Sequence, residues 1–165
     1  MTTRPQASGS QEESRLERRF RLLAEAIPQI VWTNRADGSC DYVNRRFLEF
    51  TGLTAGQAMG MGWLGAIHPE DRDECLARWN RAVERGEPFE MQYRFLRHDG
   101  TVRWFLGRTE ELRDDEDQPV RWFGTATDID DQKRAADEAL CRDQFTRRAL
   151  DNLFASWGSW SWTAP

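Results

Sequence analysis

Lysine is almost missing from this chain: Lys133 is the only one among 23 Lys and Arg residues. An arginine bias of that kind reflects the base composition of a genome before it reflects mechanism. Positive charge is also outnumbered, 28 acidic residues to 23 basic, for a net charge of −5. A nucleic-acid binder needs a basic stripe, so this balance argues against nucleic acid as a partner. Cysteine is scarce. Cys40, Cys75 and Cys141 are odd in number, far apart and without a Cys-x-x-Cys pair. That excludes a disulfide framework and a structural zinc site. No apolar run approaches the length of about 18 residues that a membrane helix needs. The opening MTTRPQASGSQEESRLERR has no apolar segment of a secretory signal. Together these absences predict a cytoplasmic, reducing location with no membrane partner. There are two histidines, His68 and His98, with no GxSxG motif and no phosphate-binding loop. No nucleophile–base–orienter set can be assembled from them, so no catalysis is expected of this chain.

What is present suffices for one core. Hydrophobic residues make up 39% of 165, aromatic residues 12%, and eight are tryptophan. That length allows one domain with extensions. A charged fraction of 31% and a mean hydropathy of −0.78 leave sizeable parts in water.

The organising stretch is residues 87–129, EPFEMQYRFLRHDGTVRWFLGRTEELRDDEDQPVRWFGTATDI. Three alternating runs are separated by two turn signals, His98-Asp99-Gly100 and Asp114-Asp115-Glu116-Asp117. This pattern predicts a three-stranded antiparallel meander. Phe89, Met91, Tyr93 and Phe95 share one face, and Glu90, Gln92 and Arg94 the other, at the period of 2 that a half-buried strand requires. The remaining chain is read as the cover of this sheet.

Residues 1–11 are polar and predict an unstructured tail. Leu16, Phe20, Leu23, Ala24 and Ile27 recur at helical spacing and predict an amphipathic helix over 12–27, closed by Pro28. A short strand follows at 29–33, closed by the turn residues Asn34-Arg35-Ala36-Asp37-Gly38, which lead into a second strand at 40–43. Asn44 and Thr54 are N-cap residues for two short helices, the first stopped by Gly52. The glycine-rich stretch around Trp63 predicts an irregular loop or short helix. His68-Pro69-Glu70-Asp71 opens a longer helix to about Arg85, stopped by Gly86, with Pro in the first turn and acids at its positive end. Cys75, Leu76, Trp79 and Val83 face the core. Residues 132–155 predict a charged helix with a thin seam through Ala136 and Leu140.

In this order, Asp37-Gly38, Asn44-Arg45-Arg46-Phe47, Thr51-Gly52-Leu53 and His68-Pro69-Glu70-Asp71 form one pattern. Tyr93-Arg94, Asp99-Gly100, Arg103-Trp104, Gly124 and Asp128-Ile129 complete it. The chain resembles a PAS domain with its C-terminal PAC motif over residues 28–131, in the subgroup with His-Pro-Glu/Asp-Asp. The resemblance implies an α+β fold: a five-stranded antiparallel sheet in order 2-1-5-4-3, short helices on one face, and flanking N- and C-terminal helices. It implies a sensory or dimerising module of a cytoplasmic signalling protein, most often a sensor histidine kinase. Pocket candidates are Trp63, Ile67, Cys75, Trp79, Met91, Tyr93, Phe95 and Trp104. The relay to the output helix falls on Asp128, Ile129 and Asp130, where the family usually has Thr at the third position. A homodimer would form through Leu16, Phe20, Leu23 and the output helix.

Bland readings compete at each site. His68, Glu70, Asp71 and Asp73 read as helix capping and dipole complement before metal ligands. Cys75 stands where haem-binding relatives place a histidine, but a buried cysteine is commonly a small apolar residue. Haem or flavin, a small-molecule ligand, or none is therefore expected, with none favoured. The Asn-Cys-Arg-Phe-Leu-Gln motif of flavin-bonding light sensors is missing. Trp63, Trp79, Trp104 and Trp122 read as packing, since interiors are filled to crystal-like density. A pure interaction domain with a filled core is the further alternative. Residues 145–153 loosely repeat 20–27, and 156–165, SWGSWSWTAP, read as the aberrant or truncated start of a second such domain after a frame change.

Overall fold

The computed structural model describes residues 7–157, with side chains over 15–152. It comprises two units, one ending at Asp128 and one beginning at Ile129.

Alternation builds the first unit. The strands are β1 (Ile30–Arg35), β2 (Cys40–Val43), β3 (Phe89–Leu96), β4 (Val102–Arg113) and β5 (Pro119–Asp128). They form one antiparallel sheet in the order β2-β1-β5-β4-β3, as the resemblance implied. In β3, Phe89, Met91, Tyr93 and Phe95 are buried, while Glu90 and Gln92 are exposed. The β3–β4 turn is fixed by the Asp99 carboxylate, which accepts from Thr101 N and Oγ1 at 2.9 and 2.7 Å.

The strand β1 runs two residues beyond the expected 29–33. Asn34 and Arg35, read from sequence as turn residues, pair with Trp122 and Arg121 of β5. A buried asparagine is tolerated there because its Nδ2 donates to the Gly38 carbonyl at 3.0 Å.

Four helical segments cover the inner face. α2 (Arg45–Thr51) and α3 (Ala55–Ala58) are capped by Asn44 and Thr54, the latter in a reciprocal capping box with Gln57. A 3₁₀ turn spans Gly62–Ala66. In α4 (Pro69–Arg85), His68 Nδ1 accepts from Glu70 N at 3.4 Å and Pro69 stands in the first turn. His68 therefore caps a helix. The buried face of α4 is Cys75, Trp79 and Ala82.

Two polar clamps hold this cover. Arg94 of β3 donates from its backbone N and Nε to Asp71 Oδ2 at 2.9 and 3.0 Å, and from Nη2 to Glu70 at 2.8 Å. Fully buried Asn44 accepts from Val31 N at 3.1 Å and Phe47 N at 3.4 Å. It donates to the carbonyls of Ala24 and Gln29 at 3.1 and 2.9 Å. One side chain thus ties β1, α2 and the end of the N-terminal helix together.

That helix, α1, is Ala7–Ala26. It begins inside the stretch expected to be unstructured, so the boundary at residue 12 is corrected. Once a helix is nucleated, each added residue gains a hydrogen bond, and this carries it through the poor helix formers Ser8, Gly9 and Ser10. Phe20 lies edge-on to Tyr42 and Phe123 of the outer sheet face, at 5.7 and 6.3 Å between centroids. Leu16 and Leu23 are 63% and 61% exposed. The apolar stripe thus divides, with Phe20 on the chain's own sheet.

The second unit is α5 (Asp130–Trp157), 28 residues long. It starts two residues before the expected position, with Asp130 and Asp131 both in its first turn, where acids complement the dipole. Leu140, Phe145 and Leu150 are exposed. Residues 156–157 continue this helix, and the rest of the unusual tail, 158–165, lies outside the described residues. Among the described residues no helix is long and apolar enough to cross a membrane.

Candidate functional site

The inner sheet face is built around close approaches. Trp32 of β1 lies against Gly124 of β5. Tyr93 lies against Gly107 of β4, where a Cβ would stand 2.5 Å from its ring. Both rings lie where a side chain on the opposing strand would be. Phe95 is edge-on to Tyr93 and Phe105, each at 5.0 Å, and Trp79 to Trp122 at 5.3 Å. These rings fill most of the space between sheet and helices.

Beside Trp79 a cavity of about 30 Å³ remains, and a separate, more open cleft of about 540 Å³ lies beside Ile30, Phe50, Arg97, Phe105 and Ala126. Cys75 and Trp79 of α4 and Trp63 of the 3₁₀ turn form the helical wall of the small cavity. Trp32, Asn34, Cys40, Tyr93, Phe95 and Thr109 are among the sheet residues lining it. Trp79 Nε1 donates to the Gly38 carbonyl at 3.1 Å, the acceptor that Asn34 also uses.

Five of the eight pocket candidates therefore meet at this cavity: Trp63, Cys75, Trp79, Tyr93 and Phe95. Ile67 and Met91 are buried in the core without lining it. Ile67 forms a bridge to Phe95 at the edge of β3. Trp104 is a correction. It stands opposite Arg94, on the face of the sheet away from the helices, with the Arg94 guanidinium 5.5 Å above its ring. The cause is parity: Phe105, directly after it, is the buried residue opposite Tyr93. The other seven of the cavity's twelve lining residues were missed, Asn34, Thr109 and Cys40 among them. Thr109 was legible as the continuation of Phe105 and Gly107 on one face, and Asn34 as the continuation of Ile30 and Trp32. Asn34 was lost to its reading as a turn residue.

Two thiols, Cys40 and Cys75, line this cavity. Burial, the leading cause, pushes Cys40 up to about 11 and Cys75 up to about 12. Both stay protonated, whereas a nucleophile or metal ligand is the thiolate. Burial likewise raises the Tyr93 phenol. The cavity between Cys75, Trp79 and the sheet does not fit haem or flavin. A cavity of about 30 Å³ is far below the roughly 300–1,000 Å³ of sites that enclose drug-sized ligands.

The three residues expected to relay a signal follow one another in the chain. Asp128 closes β5 and accepts from Arg103 Nε at 2.7 Å. Ile129 is the single residue between β5 and α5, and Asp130 is the first residue of α5.

A five-stranded antiparallel sheet of this order, closed on one face by short helices over a small cavity, defines the class: an α+β module with its core between sheet and helices. The chain belongs to the PAS fold family, whose model matches residues 41–126. The uncharacterized protein y4lL of Sinorhizobium fredii (strain NBRC 101917 / NGR234) is 36% identical over 130 residues, covering 79% of this chain and 16% of that protein. The peroxide stress-activated histidine kinase mak1 of Schizosaccharomyces pombe (strain 972 / ATCC 24843) is 33% identical over 126 residues, covering 71% of this chain and 8% of the kinase. The chain thus spans less than a fifth of the length of these relatives. Among solved structures, the sensory box histidine kinase/response regulator of Burkholderia thailandensis E264 is 25% identical with a TM-score of 0.56, covering 79% of this chain and 98% of that one. The chain is therefore a PAS domain homologous to sensory domains of histidine kinases.

Proposed function

We propose that this chain is the sensory and dimerising module of a signalling protein of the histidine-kinase kind, working in the cytoplasm. It relays the state of its cavity, or of a bound partner, to α5. Phosphoryl transfer would fall to other parts of such a protein. The observation that carries this reading is covalent continuity: β5, the middle strand of five, passes into the 28-residue α5 through Ile129 alone. Similarity to mak1 and to the B. thailandensis protein supports the kinase assignment.

The second copy would meet the exposed Leu16 and Leu23 of α1 and the seam of α5 around Ala136 and Leu140. Sedimentation tests this part: the double variant Leu16→Glu, Leu23→Glu should shift the chain to monomer, and a monomeric wild type at high concentration would contradict it. Output is tested by fusing the chain to the catalytic part of a histidine kinase and inserting one to seven residues after Leu140. Autophosphorylation should recover near the full heptad, since insertions of three or four residues disturb helical register. A flat response would refute relay by register.

A further inference from the structure

Two exposed apolar patches of this chain carry charge of opposite sign. On α1, Leu16, Leu22 and Leu23 are 63%, 67% and 61% exposed. Residues three or four apart on a helix are surface neighbours, so Arg19 has all three leucines beside it. Arg15 and Arg18 border the same patch, and all three arginines are exposed. The two acids of residues 15–26 are engaged by other groups, Glu17 by Arg21 at 2.9 Å and Glu25 by Tyr42 Oη at 3.0 Å and Arg45 N at 3.1 Å. The patch is therefore apolar and positive.

On α5, Leu140 is 57% exposed. Its neighbours one turn away are Ala136, Asp137, Asp143 and Gln144. Asp137 and Asp143 are exposed, and the nearest bases on that face, Lys133 and Arg147, stand roughly two turns away. This patch is apolar and negative. In a two-fold dimer a patch on the axis meets its own copy. Setting α1 on α1 would place arginine against arginine, and α5 on α5 would place aspartate against aspartate. Like charges placed opposite one another suppress a pairing. Setting α1 on α5 places each charge against its opposite.

We propose that two copies of this chain bind crosswise: α1 of each packs on α5 of the other, with Arg19 facing Asp137 and Asp143 and the three leucines covering Ala136 and Leu140. This deepens, and rests on, the reading of the chain as a dimerising module, whose contacts it names. Two-fold symmetry uses the pairing twice. The leucines supply burial, and the charges decide which helix is accepted. Asn44 ties the end of α1 to β1 and α2 through Ala24 O, Val31 N and Phe47 N. The sensory unit of one copy therefore holds the output helix of the other, and the relay runs between copies.

The test is sedimentation of the full chain with two variants, Arg19→Glu and the double variant Asp137→Arg, Asp143→Arg. All three positions are exposed, so the fold is kept. Each variant alone should dimerise about tenfold more weakly than wild type, because attraction becomes repulsion at two symmetric places. An equimolar mixture of the two should recover dimer of near wild-type strength. In that mixture the new acid faces the new bases, and the retained Arg19 faces the retained aspartates. Arg19→Glu mixed with wild type separates the alternative: pairing of α1 with α1 predicts a mixed dimer tighter than either parent, and that result would overturn the proposal. Either variant dimerising as wild type does, or a mixture of the two no tighter than its parts, would also overturn it. A monomeric wild type would overturn the dimerising reading with it, whereas a wild-type dimer indifferent to these charges overturns the crosswise pairing alone.

Discussion

Asn34 and Trp79 donate to one acceptor, the Gly38 carbonyl, at 3.0 and 3.1 Å. One residue comes from the sheet and the other from the long helix that covers it. The β1–β2 loop is thus the point where sheet and cover share a hydrogen-bond acceptor. Trp79→Phe removes one of these donors and leaves the ring largely in place. It should cost about 1–3 kcal/mol in urea denaturation, and hydrogen exchange should quicken at residues 36–40 before β3 is affected.

Asn44 is a second junction, with every polar atom of its amide bonded. Asn44→Ala should destabilise the chain by about 2–4 kcal/mol, since several buried backbone groups lose their partner at once. Because one partner is the Ala24 carbonyl, proteolysis should also cut α1 faster in the variant. Unchanged cleavage there would show that α1 is held by its other contacts, among them the Phe20 ring pairs and the Glu25 carboxylate, which accepts from Tyr42 Oη and Arg45 N.

The Arg94 clamp makes a pH prediction. Its hydrogen bonds hold the Asp71 carboxyl below the usual carboxylate range. A carboxylate with a lowered folded-state pKa contributes stability that is fully present above its unfolded pKa, about 3.9. That contribution is lost as pH falls through the lowered value. Asp71→Asn should therefore destabilise at neutral pH and flatten the decline in stability below about pH 4. Equal acid limbs in the two proteins would refute the assignment.

Two glycines of the 3₁₀ turn make an internal control. A Cβ on Gly62 would collide with the Gln57 carbonyl, whereas one on Gly65 meets nothing within 4 Å. Gly62→Ala should cost about 1–3 kcal/mol by overpacking, and Gly65→Ala should stay within about 0.5 kcal/mol. Thermal denaturation of the pair reads the difference directly.

Where one period governed, the sequence was legible. The alternation from Phe89 to Phe95 fixed the inner face of β3, and Pro69, Gly86 and the Cys75–Trp79 spacing fixed α4. Legibility failed where an adjacent residue of the opposite parity looked equally suitable. Trp104 and Phe105 are both aromatic, and only the pairing of Phe105 with Tyr93 decides which one points inward. Asn34 was misplaced because its local preference is for turns, while its strand conformation depends on Gly38 and Trp122, which are brought near by the fold. The size of the cavity was not legible at all, because it depends on how Trp32 and Tyr93 settle against Gly124 and Gly107.

The central claim is that the state of the cavity reaches α5. Hydrogen exchange along residues 130–150 of the full chain, with wild type compared against the cavity-filling variant Cys75→Met, tests it most directly. The account predicts that exchange in the first turns of α5 changes at least severalfold while β3 stays protected. Identical exchange along α5, in a variant whose Trp79 environment has demonstrably changed, would contradict it.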